Sequence, residues 1–243
     1  MSVNKEIERT LQSLKSRNLD GEFADSSEVA RKKIFDLVPK GAVVATGDST
    51  TVAQLGVKEE LRRRGLRLVD GFDRETERAS VEDRWRLLEE STVCDVFLTG
   101  TNAITQDGRL VNVDGAGNRV AGMFWGHKMA IIVVGRNKIV RDLDEAFYRV
   151  RNVIAPSHIR IRGVELGGAR SETPCVVTGK CSDCRSKDRR CNVFSIIEGK
   201  PARTDLKVVI VDEDLGLGWD ESWPQERIAK IIENYKRFVW VPM

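Results

Sequence analysis

Apolar residues recur at helical spacing in some stretches and in short continuous runs in others, and the alternation of the two outlines the chain. Over residues 4–17, Ile7, Leu11 and Leu14 fall at i, i+4 and i+7, a narrow apolar stripe that lays an otherwise charged helix on a domain surface. Asp25-Ser26-Ser27 before Glu28 is a helix-start signal. Val29, Ile34, Leu37 and Val38 then supply the apolar face of a second helix, which Pro39-Lys40-Gly41 ends. Residues 42–46 are β-branched and flanked by glycines, as a buried parallel strand is. Similar runs follow at 66–69, 94–99 and 130–134, with a charged helix over 74–91 whose Val81, Trp85 and Leu88 share one face. A helix entered at Asp142 carries Ala146, Phe147, Val150 and Ile154, and Pro156 is expected to stop it. Residues 192–197 and 207–211 read as strands. A last helix near 222–237 aligns Ile228, Ile231, Ile232 and Tyr235 ahead of an apolar tail, Phe238-Val239-Trp240-Val241. Strands alternating with helices at this rhythm predict βαβ units and an α/β fold with a mostly parallel sheet.

The stretch from 100 to 138 breaks the rhythm. It holds six glycines between 100 and 126, and three of its seven residues from 112 to 118 are Asn or Asp. Asp107-Gly108 predicts a hairpin turn before the alternating Arg109-Leu110-Val111-Asn112-Val113, and a short helix is expected from Asn118 to Phe124. Asp114-Gly115-Ala116-Gly117-Asn118 would sit at the start of that helix. Gly47-Asp48-Ser49-Thr50 and Thr51 stand in the same way where the strand at 42–46 runs into a helix. Ligands of parallel sheets lie outside the carboxyl ends of the strands, where unpaired helix-start N–H groups suit an anion. These loops, with Gly100, Thr101, Asn102 and Arg119, therefore outline a binding cradle for an organic acid, a phosphate or a CoA-like group. Arg136 and Lys138 are candidate clamps for it. Asp114 and His127 are the candidate acid–base groups. His127 and His158 are the only histidines, and neither has a second ligand at metal spacing.

Composition narrows the setting. Forty basic against 37 acidic residues give a net charge of only +3, which argues against nucleic acid as a partner. No apolar run approaches the roughly 20 residues of a membrane span, and the charged amino terminus is unlike a signal peptide, so a cytoplasmic protein is expected. Five cysteines occur, and four of them fall within seventeen positions as Cys175-x5-Cys181-x2-Cys184-x6-Cys191. Four thiols so close predict a metal site: an iron–sulfur cluster, with [4Fe–4S] favoured because the spacing is irregular for a zinc ribbon, and zinc as the alternative. The net +3 of residues 180–190 would lower the thiol pKa values. Cys94 reads as core. The chain divides into N-terminal helices packed on the domain (1–40), an α/β domain including the cysteine-rich loop at 173–192 (41–218), and a C-terminal helix with an apolar tail (219–243). That tail would dock on the domain or on a second copy in a homodimer.

The segment DVFLTGTNAITQDGRLVNVDGAGNRVAGMFWGHKMAIIVVGRNKIV, followed by APSHIRI, TPCVVTGKCSDC and RRCN, resembles cysteine-bearing members of the LUD-domain family of lactate-utilisation proteins. The resemblance implies a three-layer α/β/α fold similar to the ribose-phosphate isomerase and CoA-transferase superfamily. In it Gly47-Asp48-Ser49-Thr50 corresponds to the phosphate-binding loop and residues 114–118 to a second glycine-rich loop. It also implies oxidation of lactate or related 2-hydroxy acids beside iron–sulfur and flavin oxidoreductase subunits. The isomerases' catalytic Asp, Lys and Glu set is not cleanly present, and Gly126-His127-Lys128 departs from the family's Gly-Pro-Lys. An isomerase or acyl transferase, and a zinc-pinned assembly module, stand as alternative functions.

Overall fold

The computed structural model describes residues 5–73, 79–168 and 171–241. In chain order it forms α1 (Lys5–Ser16), β1 (Asp20–Ala24), α2 (Ser27–Leu37), β2 (Val44–Thr46), α3 (Thr50–Gln54), α4 (Val57–Arg63), β3 (Leu68–Val69), α5 (Val81–Glu90), β4 (Val96–Gly100), β5 (Ala103–Thr105), β6 (Leu110–Asp114) and α6 (Asn118–Phe124). There follow β7 (Met129–Gly135), β8 (Ile139–Val140), α7 (Leu143–Arg149), α8 (Ala155–Arg160), α9 (Cys175–Thr178), β9 (Val193–Ile197), β10 (Asp205–Val211) and α10 (Gln225–Phe238).

Six strands pair in parallel in the order β1-β10-β7-β4-β2-β3. Successive side chains of a strand face opposite ways, and along β7 that alternation builds two cores. Ala130, Ile132 and Val134 join Phe97 and Val208 beneath Ile7 and Leu14 of α1 and Met123 of α6. Ile131 and Val133 join Val96, Leu98 and Val209 beneath Ile34 of α2, Val52 of α3 and Leu61 of α4. The result is a three-layer α/β/α sandwich whose central strands are buried on both faces, which is why they read as continuous apolar runs. A smaller sheet, β8-β5-β6-β9, stands beside it, with the β5–β6 hairpin turning at Gly108 in the left-handed region (φ +87°). A third core joins this sheet to α7 and to Tyr235 and Val239 of the C-terminal segment.

Three expectations change. Asp20-Gly21-Glu22-Phe23-Ala24 is a sheet edge within a region that reads as helices alone; only Ala24 is fully buried, so no apolar run announces it. The helix predicted over 74–91 is present from Val81, and positions 74–78 lie outside the described residues. Pro156 does not stop its helix. A wide π turn at Val150–Ile154 precedes it and a second, Ile161–Glu165, follows α8, so the chain stays helical from Leu143 to Glu165. The wide turn displaces the carbonyls that the proline ring would meet.

Gly122 of α6 packs so close to β4 that an added Cβ would lie 2.6 Å from the Phe97 ring. Phe97 is fully buried and cannot yield. Gly122→Ala is therefore expected to destabilise the fold by about 1–3 kcal/mol in urea denaturation, overriding the roughly 1 kcal/mol that alanine gains in a helix.

Candidate functional site

The carboxyl ends of β2 and β4 lie side by side, and the two loops leaving them press together. Ser49 caps α3, accepting from the Val52 N–H at 3.4 Å. Gly47 leaves room for the Arg119 side chain, which would be 2.7 Å from a Cβ there, and Gly100 leaves room for the Ser49 hydroxyl at 2.9 Å. Ser49, Thr50 and Thr51 are each under one-tenth exposed.

Arg119, in the first turn of α6, reaches back into this corner. It donates to Gly100 O (3.2 Å), Asn112 Oδ1 (2.9 Å), Asn102 Oδ1 (3.0 Å) and Val113 O (2.7 Å), and pairs with Asp114 at 3.4 Å. One guanidinium thus ties the β6 hairpin and the Asn102 turn to the end of β4. Asn102 also accepts from Val113 N (2.9 Å), while Thr101 Oγ1 sits 3.1 Å from both Ala103 O and Asn112 Oδ1. Asp114, expected as a proton-transfer group, has both oxygens engaged, one by Arg119 and one by the Gly117 N–H at 2.9 Å. Those two bonds make it a clasp of the loop. Gly117 precedes Asn118, the first residue of α6, with φ +93°. Gly115 lies against Arg190 O, 3.3 Å from an added Cβ.

Lys138 closes the other side. It follows β7 through a tight 3₁₀ turn and is 6% exposed. Its ammonium donates to Thr51 Oγ1 (2.7 Å) and Thr101 O (2.9 Å), and no carboxylate pairs with it among the described residues. Burial, then the charge of Arg119, push Lys138 down to about 7. Burial likewise lowers Arg119. Gly216 lies over the pair, where a Cβ would stand 2.6 Å from Thr51 Oγ1 and 2.8 Å from Lys138 Nζ. At the same corner Thr46 Oγ1, Thr99 Oγ1 and Asn112 Nδ2 are buried without a hydrogen-bond partner among the described residues.

A second network enters from the helix that Pro156 was expected to end. Arg162 pairs with Asp48 at 3.0 Å and donates to His158 Nε2 at 3.0 Å, and His158 Nδ1 lies 2.5 Å from the Tyr235 hydroxyl. A guanidinium only donates, so Nε2 is the acceptor and Nδ1 carries the proton toward Tyr235. Burial and the charges of Arg162, Arg119 and Arg190 hold His158 neutral, well below its ordinary range. Burial raises Tyr235. Sequence reasoning missed this trio; the spacing of His158 and Arg162 four apart was the available signal, hidden by the assumption that Pro156 breaks the helix.

Two expected members are elsewhere. His127 lies just before β7, at the amino end of the sheet, bonded through Nδ1 to Cys94 O (2.9 Å) and stacked on Phe97 at 4.9 Å. The seven residues of β7 put it about 20 Å from the cradle, and it cannot act there. Arg136 points to Asp212 (3.3 Å) and Asp214 (3.0 Å) instead of joining Lys138.

The four clustered cysteines are free thiols in a loop that begins at α9, which packs on α8. Arg189 holds the loop, donating to Cys184 O (2.6 Å) and Cys191 O (3.0 Å). Cys191 is pushed up to about 11, by burial first and then by Cys181 and Cys175. That is opposite to the expected lowering, because burial, with the neighbouring thiols behind it, outweighs Arg189. Among the described residues no three His, Cys, Asp or Glu side chains converge as a single-ion site. The loop also touches the cradle: Asn192 donates from its backbone to Asp114 O (3.0 Å) and from its side chain to Gly115 O (3.1 Å).

Arg119→Lys keeps the charge but not the fork that reaches four acceptors. It is expected to cost about 2–4 kcal/mol in urea denaturation, whereas Arg86→Lys, at an exposed ion pair, should stay within about 0.5 kcal/mol.

Comparison with known proteins adds the following. No curated protein matches the chain. Among solved structures, a DUF162 family protein from Deinococcus radiodurans is 14% identical with a TM-score of 0.47, covering 87% of this chain and 99% of that one. Ribose 5-phosphate isomerase A from Neisseria gonorrhoeae is 15% identical with a TM-score of 0.32, covering 58% and 66%. The Plasmodium falciparum ribose 5-phosphate isomerase is 19% identical at 0.30, covering 47% and 52%. Likenesses at these values carry no argument about ligand or reaction. The LUD-domain model, by contrast, matches residues 7–211, and the chain belongs to the LUD-domain family.

Proposed function

We propose that this LUD-domain protein serves the use of lactate or a related organic acid by holding a small anion between the loop at 47–51 and the Arg119–Lys138 pair. One observation carries the reading. Lys138 is a buried ammonium without a carboxylate partner among the described residues, and the charge of the largely buried Arg119 repels it. Such a group is costly in isolation, and a bound anion would supply the missing countercharge. The hydroxyls of Ser49 and Thr51 and the orphaned Asn112 amide offer further donors at the same corner. Asp114, already bound on both oxygens, is a poor base for isomerase chemistry, so the reading is one of binding.

The cysteine loop is the second part of the proposal. Its donors are four thiols, the soft set that iron–sulfur clusters and zinc take. Their Cys175-x5-Cys181-x2-Cys184-x6-Cys191 spacing is irregular for a zinc ribbon, which favours a cubane. Cys175, Cys181, Cys184 and Cys191 would hold a [4Fe–4S] cluster, which supplies one-electron transfer when bound. Arg189 would keep the loop's carbonyls oriented. Protein prepared anaerobically is expected to contain about four iron and four sulfide per chain, and Cys191→Ser to lose most of both. One zinc per chain would replace the redox reading with that of a pinned assembly loop.

The anion half is tested by pH. With Lys138 near 7 in the free protein, an anion that needs the ammonium must draw a proton above that pH. Sulfate does not titrate in this range. Its Kd is therefore expected to be flat below pH 7 and to rise toward tenfold per unit above it, with proton uptake in calorimetry. Lys138→Met should weaken binding and remove the slope. L-lactate, phosphate and coenzyme A, compared at pH 6.5, then identify the class of ligand.

A further inference from the structure

The cradle is roofed by chain that lies beyond the family match. Gly216 covers Lys138, and Tyr235 and Trp240 cover the Asp48 side, all past residue 211. The two parts of this roof are fastened differently. The loop at 215–218 is pinned by buried hydrogen bonds: Leu215 N to Asn137 Oδ1 (2.9 Å), Gly216 N to Gln54 Oε1 (2.7 Å) and Asn137 Nδ2 to Gly218 O (2.9 Å). The C-terminal helix is attached by its apolar face, Ile228, Ile231 and Tyr235, by the Tyr235–His158 bond, by Trp240, and by part-exposed ion pairs of Arg227 with Asp214 (2.8 Å) and Lys236 with Glu165 (2.6 Å). Trp240 is held by ring contacts. Its indole lies edge-on to Phe72 (centroids 5.4 Å apart) and beneath the guanidinium groups of Arg162 (5.0 Å) and Arg84 (5.3 Å), while its buried N–H has no partner among the described residues.

We propose that α10 and its tail are the lid of the anion cradle, with Tyr235 its cradle-facing group and Trp240 the clasp that holds Arg162 against Asp48; this rests on the binding reading given above. Four observations support it. The cradle hydroxyls and Lys138 are each under one-tenth exposed, so a ligand cannot reach them without movement of the roof. The clasp uses surface contacts that break without stranding a new polar group. Arg162, once released from Trp240, is a third cation within reach of the loop at Asp48. The residues roofing the Asp48 side, Tyr235 and Trp240, lie on α10 and the tail just past its end, joined to the sheet through a turn at 219–224. A closed lid leaves room only for a ligand that fits wholly inside, so the class it selects is a small carboxylate or phosphate. A coenzyme A thioester, whose tail must leave the cradle, would not fit.

The two histidines provide the test, because both nitrogens of His158 are engaged under the lid, whereas His127 is buried at the opposite end of the sheet. Carbethoxylation by diethyl pyrocarbonate, followed by peptide mass mapping, is expected to modify His158 at least tenfold faster in Trp240→Ala than in the unaltered chain, with His127 unchanged. Tyr235→Phe, which keeps the ring and removes the hydroxyl, should give a smaller increase of the same kind. An unchanged His158 rate in both variants, or a rise matched at His127, overturns the lid. Stopped-flow binding of sulfate separates the two readings. If the lid gates the cradle, Trp240→Ala speeds association and release together, at least tenfold each, with Kd altered less than threefold. If His158 is exposed selectively and sulfate binds neither protein, the lid stands and the anion reading falls.

Discussion

One guanidinium organises the corner on which the functional reading depends. Arg119 reaches Gly100, Asn102, Asn112 and Val113 at once and still touches Asp114. A planar fork can serve several acceptors because its N–H groups diverge in fixed directions; a lysine in its place would serve them one at a time. Remove this contact and the Asn102 turn, the β6 hairpin and the end of β4 lose their common anchor. Glycine at 47 follows from the same fact, since any side chain there would occupy the space the arginine fills.

The same contact sets the electrostatics. A guanidinium that has spent most of its donors on neutral carbonyls and amides keeps nearly its whole charge, and Lys138 feels it through a poorly solvated medium. Arg119 has Asp114 as a countercharge, whereas Lys138 has no carboxylate among the described residues, the imbalance that the proposed anion would answer.

The helical run through Pro156 gives the site its second wall. Two π turns let one helix pass a proline and present His158 and Arg162 on the face toward Asp48, while the other side of α8 supports α9 and the cysteine loop. Asn192, next to Cys191, bonds to the loop that holds Asp114 and Gly115. The cysteine loop and the cradle therefore share a wall, a relation that no spacing in the sequence reveals.

The apolar runs, the hairpin turn at Gly108, the helix from Asn118 and the cysteine spacing were legible because each depends on local periodicity or on residues close in sequence. Those signals determined the α/β class, the parallel strands and the placement of glycine-rich loops at strand ends. The edge strand β1 was not legible, because an edge buries too little to need an apolar run. The tertiary structure alone decided which charged groups meet. Arg136 and Lys138, two residues apart, part company, one to Asp212 and Asp214 and the other to Thr51. His127, inside the glycine-rich stretch, goes to the far end of the sheet because β7 carries the chain back there to begin. Tyr235 and Trp240, which read as apolar filler, roof the site. Partner choice among these polar side chains depends on contacts closed over 76 to 114 residues, and hydrophobic patterning, which encodes only which face is buried, carries no record of them.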